Sequence, residues 1–98
     1  MSNTYPIVTI CCSTRHQVEI LNHYNELTES GYIVLADLTE HERQSQFDKC
    51  MVDEMHKRKI DMADEVHILV KDNHYGDSVK SELLYAIDNK KCCKIYHI

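Results

Sequence analysis

The chain has 98 residues, 43% hydrophobic and 28% charged, with only Gly 2 and Pro 1, which fits one compact domain over 1–98 and excludes collagen, linkers and low-complexity tails. Lys and Arg number 11 against 16 Asp and Glu, a formal charge of -5; an acidic surface repels phosphate backbones, so a nucleic-acid polymer is not an expected partner. No apolar run approaches the ~18 residues of a membrane span. The opening MSNTYPIVTICC lacks a basic segment followed by an apolar one, so no secretory signal is visible and a cytoplasmic location is expected.

Apolar runs and helical stripes alternate along the chain. Ile7 to Cys11 is nearly continuous and β-branched, as expected of a strand buried on both faces. Val18, Leu21, Tyr24 and Leu27, joined by Ile20, mark a helix that Gly31 ends as a C′ glycine. Tyr32 to Ala36 is expected to be a second buried strand. Asp37 to Gln46 reads as a polar loop in which Thr39 and Glu42 have capping-box spacing. Phe47, Met51, Met55 and then Met62 trace a second helix, with a break expected near Lys57-Arg58-Lys59. Val66 to Val70 is a third strand, and Lys71 to Asp77 a polar loop. Val79, Leu83, Ala86 and Ile87 stripe a third helix. Lys94 to Ile98 alternates, as an edge strand would.

The order βαβαβαβ predicts an α/β fold, a small three-layer open parallel sheet of flavodoxin or Rossmann-like type with strand order 2-1-3-4. The chain reverses direction across such a sheet between strands one and three, and ligands bind there, beyond the carboxyl ends of the strands. Cys12 to Arg15 and Asp72 to Glu82 meet at that crevice.

Cys11, Cys12, Cys50, Cys92 and Cys93 are odd in number and contain no C-x-x-C pair. They read as reduced thiols serving as small apolar residues, with no metal site and no cofactor expected. Ser13, Thr14 and Arg15 fall where a strand turns into a helix. They either hold an anion or are an N-cap followed by a solvated Arg. Ser78 reads as an N-cap, which places Glu82 near the start of the third helix. Glu82 is then either a surface carboxylate suited to the helix dipole or a nucleophile or base at the crevice. His56, beside Lys57 and Arg58, reads from the residues alone as a solvated helix histidine. Asp37 ends the second strand, where dinucleotide-binding proteins hold a ribose. No G-x-G-x-x-G is present, so Asp37 reads as a turn cap.

Three segments carry a resemblance over essentially the whole chain: Ile10-Cys11-Cys12-Ser13-Thr14-Arg15, the run from His56 to Glu65 (HKRKIDMADE), and the run from Gly76 to Ala86 (GDSVKSELLYA). Together they resemble the nucleoside 2-deoxyribosyltransferase-like family, which includes 2′-deoxynucleoside 5′-monophosphate N-glycosidases. The resemblance implies that Glu82 attacks C1′ of a (deoxy)ribosyl group. It also implies that Ser13, Arg15 and Ser78 hold the 5′ end, with Cys12, Thr14 and Gly76 beside them, and that His56 stands near a sugar-orienting position. Asp61 and Asp64 also match, and are read as structural. Cys12 stands where the family loop has glycine, and Gly76 where the transferases have an aspartate. The expected ligand is a nucleoside or nucleotide, and the expected assembly a homodimer or dimer of dimers packed through the second or first helix. The alternative is a binding or sequestering module for a nucleotide or an NAD-derived signal, without turnover.

Overall fold

The computed structural model describes residues 5–37 and 48–98. Their elements run β1 (Ile7–Cys11), α1 (Gln17–Glu29), β2 (Ile33–Leu35), α2 (Lys49–Met62), β3 (Glu65–Val70), α3 (Asp77–Asp88) and β4 (Cys92–His97). The four strands form one parallel sheet in the order β2-β1-β3-β4. The expected fold and strand order are those observed.

Side-chain alternation along β1 divides the core. Val8 and Ile10 join Ile20 and Leu27 of α1 on one face, with Leu69 of β3. Cys11 lies on the other face with Val66, Ile68 and Val70 of β3, Ile60 of α2, and Val79 and Ala86 of α3. One helix therefore covers one face and two cover the other, as right-handed crossovers require when the chain reverses after β2. Cys11 and Cys12 point to opposite faces, as neighbours in a strand must. Thr9, buried on the two-helix face, donates to the Lys59 carbonyl at 2.8 Å and fastens α2 to β1. Asp64 does the same for the start of β1, its carboxylate accepting the Ile7 N–H at 2.8 Å. Arg58 and Asp61 of α2 meet the Tyr85 hydroxyl of α3. The structural reading of Asp61 and Asp64 agrees with these contacts.

Several expectations are corrected. Val18 and Leu21 are exposed, and α1 turns Ile20, Tyr24 and Leu27 inward. Val18 stands about 200° round the helix from Ile20, so both cannot face the sheet. β2 is a short edge strand with Ile33 half-exposed, not a buried one, because nothing pairs with its outer side among the described residues. α2 is unbroken through Lys57-Arg58-Lys59, begins on an Asp48 cap that accepts from the Cys50 and Met51 N–H groups, and buries His56 and Ile60. Its methionines Met51, Met55 and Met62 face outward. Ile87 is likewise exposed, leaving Val79 and Ala86 as the buried stripe of α3. Gly31, with φ of 91°, follows the α1 C-cap as expected. Thr39, Glu42 and Phe47 lie outside the described residues. No helix among the described residues is long and apolar enough to cross a membrane.

Candidate active site at the sheet switch point

Beyond the carboxyl ends of β1 and β3 the sheet opens into a cleft of about 710 Å³. Its wall is built from the β1–α1 turn (Cys12, Ser13, Thr14, Arg15), Asp37 after β2, the first turns of α2 (Lys49, Val52, Asp53, His56) and the start of α3 (Gly76, Asp77, Ser78, Val79, Glu82). All the sequence-nominated residues, Cys12, Ser13, Thr14, Arg15, His56, Gly76, Ser78 and Glu82, line this one cavity.

Three side chains from three elements meet at its base. Cys11 Sγ lies 3.2 Å from His56 Nε2, and His56 Nε2 lies 3.5 Å from Glu82 Oε2. Cys11 is fully buried, and the side chains of His56 and Glu82 are 8% and 16% exposed. Burial governs the protonation of all three. It pushes the Glu82 carboxyl up to about 8, helped by the charges of Asp53 and Asp37 and opposed more weakly by the Cys11 thiol and Lys49. Burial lowers His56 to about 4, with Lys59 adding to the effect. The Cys11 thiol is raised well above its ordinary value, first by burial and then by Glu82. At neutral pH the His56–Glu82 contact therefore joins two largely uncharged groups and is not an ion pair. The base of the cleft is a carboxyl held among neutral polar neighbours.

The rim differs in character. The Ser13 carbonyl accepts the His16 N–H at 3.0 Å, closing a tight turn that points Thr14 and Arg15 toward the cleft mouth. Arg15 is exposed. α1 starts only at Gln17, with His16 as its cap, so Ser13 and Thr14 are turn residues and not an N-cap. Across the cleft, Gly76 is the N-cap of α3, and Ser78 sits inside the first turn, contrary to the capping role expected of it. The N–H groups of Asp77, Ser78 and Val79 have no partner within their helix. Asp77 places one negative charge at that helix end, so an anion at the cleft mouth depends chiefly on Arg15 and the Ser13–Thr14 turn. A Cβ added to Gly76 would meet nothing within 4 Å. Cys12 borders the cleft with its thiol raised to about 11 by burial and by Glu19.

Sequence reading missed Cys11, Lys49, Asp53 and Asp37. Lys49, Asp53, His56 and Ile60 follow helical spacing, so one face of α2 could have been drawn through them had the methionine stripe not been taken as the inward one. His56 is buried, not solvated, and Asp37 lies on the cleft wall, not at a turn alone. No protein-family model matches the chain, and no curated protein matches it either.

Proposed function

We propose that the chain is a small nucleotide-processing enzyme that cleaves, or transfers across, the base–sugar bond of a (deoxy)nucleoside 5′-monophosphate. The observation that carries this reading is the buried Glu82 carboxyl at the base of a cleft, with neutral Cys11 and His56 for neighbours and, among the described residues, no cation in contact. Once ionised, such a carboxylate gains most from positive charge that develops beside it, and an oxocarbenium-like C1′ is charge of that kind. In the first step a Glu82 oxygen bonds to C1′ while the C1′–N bond breaks. The base leaves with the bonding pair and takes up the proton that Glu82 sheds, through water in the cleft, on becoming the attacking carboxylate. Water, or a second base, then displaces the carboxylate from C1′. His56 is a positioning residue in this scheme, its ring setting the Glu82 rotamer. Arg15, Ser13 and Ser78 stand where a 5′-phosphate can be held. The resemblance of the Cys11–Arg15, His56–Glu65 and Gly76–Ala86 segments to the nucleoside 2-deoxyribosyltransferase-like family supports the same reading.

The test is to mix the chain with a panel of nucleosides and their 5′-monophosphates and assay free base. Base release that disappears in Glu82→Gln supports the enzyme. Saturable binding of a nucleotide without release would assign the fold to a sequestering module instead.

Two further proposals accompany it. The free thiols Cys11, Cys12, Cys50, Cys92 and Cys93 support a cytoplasmic setting. Met51 and Met55 stand outward on the same turns of α2 that supply Lys49, Asp53 and His56 to the cleft. A second copy docked on α2 would cover these methionines and narrow the cleft mouth, giving a symmetric homodimer. Light scattering that reads one chain mass at every concentration overturns the dimer.

A further inference from the structure

Glu82 and its two neighbours also have a property independent of any glycosyl chemistry. Cys11 Sγ, His56 Nε2 and a Glu82 oxygen all lie within 4.8 Å of one another. A tetrahedral zinc ion with Zn–S of ~2.3 Å and Zn–N or Zn–O of ~2.0–2.1 Å sets sulfur and nitrogen about 3.6 Å apart and nitrogen and oxygen about 3.3 Å apart. The observed separations are 3.2 Å for sulfur to nitrogen and 3.5 Å for nitrogen to oxygen. Two of the three separations thus lie close to the tetrahedral values, and the third, sulfur to oxygen, is no more than 4.8 Å.

We propose that Cys11, His56 and Glu82 form a three-donor site for one thiophilic divalent cation of the zinc class, with the fourth coordination position open to the cleft. Thiolate, neutral imidazole and carboxylate together carry two negative charges, which balance the ion. Binding releases one proton from the thiol and one from the carboxyl, so the site takes up a cation and gives up two protons without leaving net charge in the core. Asp37 and Asp53 add negative potential from the cleft wall. The donors come from a strand and two helices packed on the same face of the sheet, so their spacing is held by the core and not by a loop. Three protein ligands plus an open position is the arrangement of zinc sites that accept an exogenous oxygen or water. The soft sulfur argues against magnesium or calcium. An ion held by Glu82 and a sugar attacked by Glu82 exclude each other, so the loaded site would be blocked to glycosyl transfer.

Cobalt(II) added to the reduced, tag-free chain reads the site directly, without any activity. The expected result is one equivalent bound, with tetrahedral visible bands, a thiolate-to-cobalt band in the near ultraviolet, and displacement by Zn²⁺. The thiolate band should vanish in Cys11→Ser. In His56→Gln and Glu82→Gln the affinity should fall by more than the ~10–100-fold that loss of an outer partner costs. Glu82→Gln exchanges a single oxygen for nitrogen, so its native circular dichroism keeps the comparison sound if Cys11→Ser folds poorly. Absence of the thiolate band from the wild-type chain overturns the proposal. So does affinity unchanged in folded Glu82→Gln, or a band that survives there and is lost in Cys92→Ser or Cys93→Ser.

Discussion

Each face of the sheet carries a histidine beside a glutamate, and the two pairs are built to opposite ends. On the α1 face His67, fully enclosed in β3, lies 3.0 Å from Glu65 through Nε2 and 3.0 Å from His23 of α1 through Nδ1. Lys94 of β4 adds an ion pair to Glu65 at 3.1 Å, and the Tyr32 hydroxyl donates to it at 3.3 Å. The His67 hydrogen bond, and then Lys94, hold Glu65 below the usual carboxylate range. On the other face Glu82 meets Cys11 and His56 and is raised to about 8. The first glutamate is satisfied by a permanent cation and closes a structural seam between α1, β3 and β4. Among the described residues the second has none in contact, and it opens onto a cleft. A buried carboxyl without its cation is costly to keep, and such groups concentrate where a ligand supplies the missing charge.

The sharpest way to separate the pairs is to remove each carboxyl in turn. Glu82→Gln should keep the fold and lower base release by on the order of 10³-fold or more, as loss of a covalent nucleophile does. Glu65→Gln should leave turnover within a few-fold and instead lower the melting temperature. Equal effects on activity from both would erase the distinction. Base release and thermal unfolding on the two variants decide it.

The rim should respond next. Arg15→Ala is expected to weaken 5′-monophosphate binding by ~1.5–3 kcal/mol, tenfold to over a hundredfold, the range for one charge-assisted contact. The matching nucleosides should bind as before. Titration calorimetry on both ligand types checks this, and an equal loss on both would mean that Arg15 does not read the phosphate.

The α1-face seam predicts a pH effect on stability that the cleft does not need. Burial and then the His67 charge lower the pKa of His23. Around it stand Glu26 on its own helix, His67 on β3 and Tyr96 on β4, and behind His67 lies Glu65 with its partners Lys94 and Tyr32. Because the folded state prefers neutral His23, its contribution is present above the unfolded value of about 6.5 and is lost as pH falls below it. Glu65 is shifted downward, so its contribution persists to lower pH and disappears only as pH drops from its unfolded value of ~4.3 through the native one. Denaturant midpoints should therefore fall in two steps on acidification. His56, lowered to about 4, adds to the upper step in the same sense, and Glu82, raised to about 8, opposes it. His23→Gln should therefore shrink the upper step and leave the lower one; an upper step unchanged in that variant would assign it to the cleft.

The smallest effect is expected at Gly76. Its φ of -71° needs no glycine, and the added side chain meets open space. Gly76→Asp should thus unfold within ~0.5 kcal/mol of wild type or slightly above it, since aspartate is a better N-cap. A large loss would show that the cleft wall is tighter there than the geometry implies.

Much of this architecture is written in the chain. Period-two and helical apolar patterns identify each described strand and helix, and their alternation dictates a parallel sheet whose reversal lies between β1 and β3. That alone brings Cys12–Arg15 and Gly76–Glu82 to one cleft. The inward faces of α1 and α2 were not legible, whereas Val79, Leu83 and Ala86 of α3 do face the core as their spacing indicates. α1 and α2 carry apolar residues on more than one side, and only docking on the sheet selects Ile20 over Val18, and His56 with Ile60 over the methionines. The state of Glu82 was equally hidden. A carboxyl in the first turns of a helix has no unusual chemistry until Cys11 from β1 and His56 from α2 close around it. Local periodicity determines which elements form and in what order, because it acts through neighbours in the chain. Burial and proton affinity depend on groups brought together across 45 residues, as Cys11 and His56 are, and only the tertiary structure decides those.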